Sequence, residues 1–191
     1  MARTTHAGMI AALLAVCWVA PLHAADSRPA IRDLQIRRSD SQIRVSFQLV
    51  EAFDDEVRQR IESGLPTGFV FEAKLEKKRR WWFNDAVLRS RIEAVAMYNA
   101  VTREYLVNTK QDGRLIDSRV FTSLGDAQKA MSRVHDIAVF HLDALPRGRL
   151  TVLVRAELGS RTLLSLFPTT VHTNWAESEP FRLVAGRDDE S

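Results

Sequence analysis

Cysteine is nearly missing from this chain. Cys17 is the only one in 191 residues, so no internal disulfide can form and stability has to come from a packed core. Apolar runs are short as well. The longest, Gly8 to Ala20, has 13 residues, well below the ~20 that a transmembrane helix needs. Histidine is sparse, and no G-x-S-x-G elbow, H-E-x-x-H pair or phosphate-binding glycine loop occurs, which removes the familiar hydrolase, zinc-protease and nucleotide-binding patterns. There is no internal repeat and no Pro/Ser/Gly-rich linker. With 46% hydrophobic and 27% charged residues, the composition is that of an ordinary globular protein.

The amino terminus reads as a secretory signal. Arg3 supplies a positive start, the apolar run follows, and Pro21-Leu22-His23-Ala24 offers a small residue at the cleavage point. The expected division is a signal peptide over residues 1–24, one β-rich domain over 25–185 and a polar tail over 186–191. Cleavage would remove one basic residue and no acidic one, lowering the formal charge of +3 by one. Leu14-Ala15-Val16-Cys17 loosely resembles a lipobox, but bulky Val16 and the apolar run continuing past Cys17 argue against lipid anchoring there. The expectation is therefore a periplasmic protein. A domain of roughly 165 residues buries about 70% of its unfolded surface, enough for a core without disulfides.

Period-two alternation dominates what remains. Ile43, Val45, Phe47 and Leu49 share one face, as do Phe69, Phe71, Ala73 and Leu75. Two further sets are Ile92, Ala94, Ala96 and Tyr98, and Leu150, Val152, Val154, Ala156 and Leu158, with Val95 and Leu153 falling on the opposite side. One apolar and one wet face suits antiparallel strands. Gln111-Asp112-Gly113 predicts a hairpin turn. Asp54-Asp55-Glu56 predicts a helix start, with Val57 and Ile61 on one face and Gly64 and Pro66 ending it. A second helix is predicted from Ser123, which with Asp126 resembles a capping box, although Asp reaches less well than Glu or Gln, and Ala127, Ala130, Met131 and Val134 follow at helical spacing. The fold expected is mainly β with minor α: an antiparallel, sandwich-like single domain carrying one or two short helices.

The candidate chemistry is thin. His135, His141 and His172 lack zinc-ligand spacing, and even if His135 and His141 share a strand face they lie too far apart to hold one ion. Ser160 has no nucleophile signature, and the Asp54-Asp55-Glu56 trio reads as helix capping. No catalytic residue, metal site or cofactor is expected. The unusual stretch is the basic–aromatic run Lys77, Lys78, Arg79, Arg80, Trp81, Trp82. It suits a protein partner with an acidic groove, because Trp and Arg are favoured anchors. It also suits an anionic membrane surface, or simply a solvated hairpin arm with one tryptophan buried. Such composition grips nucleic acid strands too, but an exported protein is not expected to meet them. Arg103, Glu104 and Tyr105 form the one polar cluster an enzyme could use, and strand geometry would split it between two faces.

Gly64-Leu65-Pro66, Arg79-Arg80-Trp81-Trp82, the stretch Tyr98-Asn99-Ala100-Val101-Thr102-Arg103-Glu104-Tyr105 and Phe121-Thr122-Ser123-Leu124 with Ala127 occur in that order. In these the chain resembles the domain of unknown function 4390 family of exported Gram-negative bacterial proteins, over about Ile31 to Leu183. The family usually carries aspartate where this chain has Asn99, which weakens an acidic catalytic role there. The resemblance implies no activity or cofactor. It does imply an envelope-signalling setting, through gene neighbours that are membrane sensor kinases. The function expected is a non-enzymatic envelope interaction module whose partner is an envelope protein such as a sensor kinase outer domain. The alternative is a peripheral binder of anionic lipid or lipopolysaccharide, and an enzyme of unfamiliar type ranks last.

Overall fold

The computed structural model describes residues 28–39, 41–77, 85–141, 148–163 and 167–182. The predicted signal, Cys17, the polar tail and Lys78 to Trp82 lie outside them. Two antiparallel sheets make the fold. The smaller has the order β1-β2-β7, from β1 (Ala30–Ser39), β2 (Gln42–Val50) and β7 (Arg133–His141). The larger is a meander of β3 (Thr67–Lys77), β4 (Asp85–Asn99), β5 (Glu104–Gln111) and β6 (Arg114–Phe121), with β8 (Arg149–Leu163) added beside β3.

Along the other side of β8 the chain returns in three pieces. They are β9 (Phe167–His172), β10 (Ala176–Glu177) and β11 (Phe181–Arg182), each antiparallel to β8. Both sheets are antiparallel and neither closes into a barrel, so the expected sandwich-like β fold with two helices is the observed one.

The alternation read from the sequence sets which face is buried. Ile43, Val45, Phe47 and Leu49 of β2 meet Phe69, Phe71, Ala73 and Leu75 of β3, all essentially inaccessible to water. Phe47 and Phe71 pack edge to face with ring centroids 5.1 Å apart, a preferred aromatic geometry. Ile92, Ala94 and Ala96 of β4 and Leu150, Val152, Val154 and Ala156 of β8 complete that face. Each fully buried Phe or Leu contributes about 2 kcal/mol of transfer free energy. Leu153 does fall on the opposite face, yet it is buried.

Three strands cannot cover the larger sheet, and a helix fills part of the difference. α2 (Leu124–Ser132) packs on β4 and β5, where Ala94, Ala96 and Val107 are small enough to admit it. Ala127 and Met131 are its fully buried residues. Two expectations about α2 are corrected. Ser123 is the N-cap residue but its hydroxyl makes no capping bond, and Asp126 pairs instead with Lys129 at 3.1 Å. Aspartate is one methylene short of the reach a capping box needs. Val134 is buried, but from β7, because Arg133 already has extended dihedrals and ends the helix.

α1 (Asp55–Glu62) begins as predicted. Asp54 Oδ1 accepts from the Val57 amide at 2.9 Å and Ile61 is fully buried. Gly64, at φ +81°, turns the chain out of the helix. The β5–β6 turn has Asp112 and Gly113 at φ 48° and 82°, the left-handed pair that a tight hairpin of right-twisted strands requires.

Candidate functional site

On the outer face of the larger sheet, register brings together residues far apart in sequence. Glu72 of β3 lies opposite Arg91 of β4 on one side and Arg155 of β8 on the other. The next outward residue of β3, Lys74, lies opposite Arg89. Glu72 becomes the hub of this group. Its Oε2 accepts from Arg155 Nε and Nη2 at 3.0 and 2.8 Å, and its Oε1 accepts from Arg89 Nη1 at 2.8 Å, with Lys74 Nζ 3.6 Å away. Burial pushes the Glu72 carboxyl up. The Arg155 hydrogen bonds and the attraction of Lys74, Arg155 and Arg89 outweigh it and hold the group below the usual glutamate range. Arg91 pairs with Glu93 at 3.1 Å and approaches Glu157 at 3.9 Å.

Trp175, in the irregular segment before β10, lies against two of these cations. Lys74 Nζ is 4.1 Å and Arg155 Cζ 4.5 Å from its ring centroid, well inside cation–π range. The result is a pre-formed basic–aromatic surface of four cations on three carboxylates. Lys74 is its most sheltered member, with 16% of its side chain exposed, and Arg89 the most open at 62%. Its charged residues are legible one by one in the sequence, but their meeting depends on a β3–β8 pairing that no local pattern announces. Trp175 carried no signal at all, standing alone in an aperiodic stretch.

The predicted interaction run begins where this surface ends. Lys77, the last residue of β3, pairs with Asp85 and Leu150, and its stem lies over Gly148, where a β-carbon would come within 2.9 Å of Lys77 Cε. Gly148 has φ +143°, which favours glycine. The other five residues of the run lie outside the described residues.

The other sequence candidates are dispersed. His135, His141 and His172 are each exposed. His135 and His141 lie six residues apart on β7, a stretch that carries two bulges against β2. Among the described residues no group of three or more His, Cys, Asp or Glu is placed to hold a metal. Arg103 is not on the strand with Glu104 and Tyr105 but in the turn before it, at φ 59°. Tyr105 stacks on Tyr98 with centroids 4.7 Å apart, and burial, then Glu62, then Tyr98, push its hydroxyl pKa up.

A groove of about 540 Å³ runs between β7 and the uncovered part of β5 and β6, lined among others by Arg44, Thr109, Arg119, His135 and Asp136. An ion pair lies at its centre. Asp136 accepts from Arg37 at 2.5 Å and lies 3.0 Å from Arg44 Nε, while its amide donates to Ser46 Oγ at 2.9 Å. The hydrogen bond from Arg44, joined by that from Arg37, holds the Asp136 carboxyl below its usual range against a smaller opposing effect of burial.

Residues 26–176 match the family described as Domain of unknown function (DUF4390). The chain belongs to DUF4390. No curated protein and no solved structure matches it. The stretches that carried the DUF4390 resemblance and fall within the described residues turn out to sit at chain reversals. Gly64 passes so close to the hairpin of β4 and β5 that a β-carbon on it would lie 3.2 Å from the Tyr98 carbonyl oxygen. Asn99 Oδ1 accepts from the Val101 amide at 2.9 Å and the Thr102 amide at 3.4 Å, and the Asn99 carbonyl accepts from the Arg103 amide at 2.7 Å. An aspartate could cap the turn with the same oxygen.

Proposed function

We propose that this DUF4390 protein is an exported, non-enzymatic module of the cell envelope. It binds an envelope protein, a sensor kinase outer domain being the expected class, through the outer face of its larger sheet and the Lys77–Trp82 run. The single observation that carries this reading is the cluster of Lys74, Arg89 and Arg155 held around Glu72 with Trp175 stacked on two of its cations. Cations already fixed by a carboxylate and a ring lose little side-chain freedom on docking, which lowers the cost of forming an interface. Arg and Trp side by side are the anchors that well-packed interfaces favour. The strand β3 leads from this cluster directly into the run of basic and aromatic residues. Export is supported by the sequence of residues 1–24.

In-cell cross-linking at native abundance tests the reading. Wild type should capture one envelope protein, and folded variants carrying Trp81→Ala with Trp82→Ala, or Trp175→Ala, should lose or weaken that capture. Undiminished capture by both variants would reject the site. Absence of any protein partner, together with salt-sensitive binding to vesicles of anionic lipid, would replace the protein partner by a membrane surface.

A further inference from the structure

The two edges of the larger sheet are built differently. On one, the return chain beside β8 is broken into β9, β10 and β11, with Pro180 between the last two. Short pieces and proline are standard ways to keep an edge from recruiting another strand. On the other, β6 runs as one strand from Arg114 to Phe121, with a single bulge near its start, and among the described residues pairs only with β5. It contains no proline and no lysine. It also exposes three large apolar side chains, Leu115 at 58%, Ile116 at 46% and Val120 at 56%. An edge of this kind is a template for a further strand.

We propose that the further strand is β6 of a second copy of this chain, paired antiparallel across a two-fold axis at Ser118. The charge pattern of the strand selects both the occupant and the register. Asp117 and Arg119 lie on the same face, 2.7 Å apart within one chain and about half exposed. With the axis at Ser118, each Asp117 lies directly opposite Arg119 of the second copy, so four charges alternate in sign along one face. Residues directly opposite each other must share a face, so the register can move only in steps of two. A step one way sets Asp117 against Asp117, and a step the other way sets Arg119 against Arg119. Like charges directly opposite are destabilising, so of these three registers the one centred on Ser118 is favoured.

On the opposite face of β6, the small Ser118 side chain, hydrogen-bonded to Asn108 at 2.8 Å, sits at the axis. Val120 then faces the Leu115–Ile116 end of the other strand. The bulge of β6 at this end, where Thr109 and Lys110 of β5 face Asp117 and Leu115, brings Leu115 toward Val120. Exposed Leu115 and Val120 are thereby gathered at the junction, while Ile116 lines the groove with Asp117 and Arg119. Pairing would extend the larger sheet across the axis and satisfy the free backbone groups of both edges.

Sedimentation equilibrium of the purified protein tests this, with single charge reversals Asp117→Arg and Arg119→Asp checked for folding by circular dichroism. Wild type should have dimer mass. Each reversal, placing four like charges in one row, should raise the dimer dissociation constant by about tenfold or more. An equimolar mixture of the two variants should recover the dimer, because each opposed pair then joins a cation to an anion. The double variant with the two charges exchanged should also dimerise. The proposal is overturned by a wild type that stays monomeric, by a dimer indifferent to both reversals, or by reversed variants whose mixture fails to associate. Because both positions are exposed, a reversal that unfolded the protein would also contradict the structural premise, and the exchanged double variant would reveal it.

Discussion

Replacing Gly68 with alanine separates two physical effects that have opposite signs. Gly68 is the second residue of β3, directly opposite Val95 of β4. Alanine there would ordinarily stabilise by about 0.5–1 kcal/mol, because glycine loses more backbone freedom on folding. The structure leaves no room for the methyl group. It would overlap the Ala94 carbonyl oxygen and lie 2.8 Å from Val95 Cγ2 and 2.9 Å from Val95 Cα. Two of these three neighbours are backbone atoms of the paired strand and cannot rotate aside, so relief requires β3 and β4 to separate. Overpacking of this kind costs about 1–3 kcal/mol, which exceeds the entropic gain.

In urea the midpoint should fall while the slope is unchanged, and the melting temperature should drop by about 5 °C for a domain of this size. Two other glycines serve as controls. Gly125, in the first turn of α2, has its nearest neighbour at 3.6 Å, so alanine should be tolerated or stabilise by about 0.5 kcal/mol. Gly113 has open space but φ +82°, so alanine there should cost about 1–2 kcal/mol through backbone strain alone. A Gly68→Ala protein as stable as wild type would refute the close approach of β3 and β4.

Asp136 gives a pH-dependent prediction. Its folded pKa lies below the unfolded one, so its contribution is present above the usual aspartate value of about 4 and is lost as pH falls through the depressed folded value. Asp136→Asn should therefore destabilise at pH 7 and narrow the difference from wild type as pH falls below about 4, measured by urea unfolding across pH. A difference that stays constant over that range would remove the ion pair with Arg44 and Arg37 as its source. Asn99→Asp should leave stability within about 0.5 kcal/mol, whereas Asn99→Ala should cost about 1 kcal/mol by stripping the turn of its cap. Equal losses from both would contradict the capping role.

The buried faces of β2, β3, β4 and β8 were legible because alternation is local and one face of each strand is dry. The helix boundary near Ser132 was not. Val134 continues the helical spacing as well as it suits a strand, and the extended dihedrals of Arg133 follow from β7 pairing with β2, some ninety residues back in the chain. Bulges at Asp136 and in β6 likewise shift parity in ways alternation cannot register. For the candidate surface, the sequence pointed to its end at Lys77 through composition alone. The Glu72 hub remained hidden because carboxylate and guanidinium come from strands joined only by folding, and Trp175 because a ring stacked on cations needs no periodic neighbour.

The order of strands in the larger sheet also imposes a timetable. β3, β4, β5 and β6 are successive hairpins, each formed from chain already at hand, while β8 must return from Leu150 to Glu157 to lie beside β3 between Lys77 and Val70. Local pairings form early and distant ones late. Until β8 docks, Phe69, Phe71 and Leu75 belong to an edge strand, and the Leu150–Ala156 face that completes their surroundings is missing. A chain emerging from its amino terminus therefore holds a finished meander with an unfinished core, and the step that seals the core is also the step that assembles Glu72 with Arg155. Folding and the making of the basic–aromatic surface are one event.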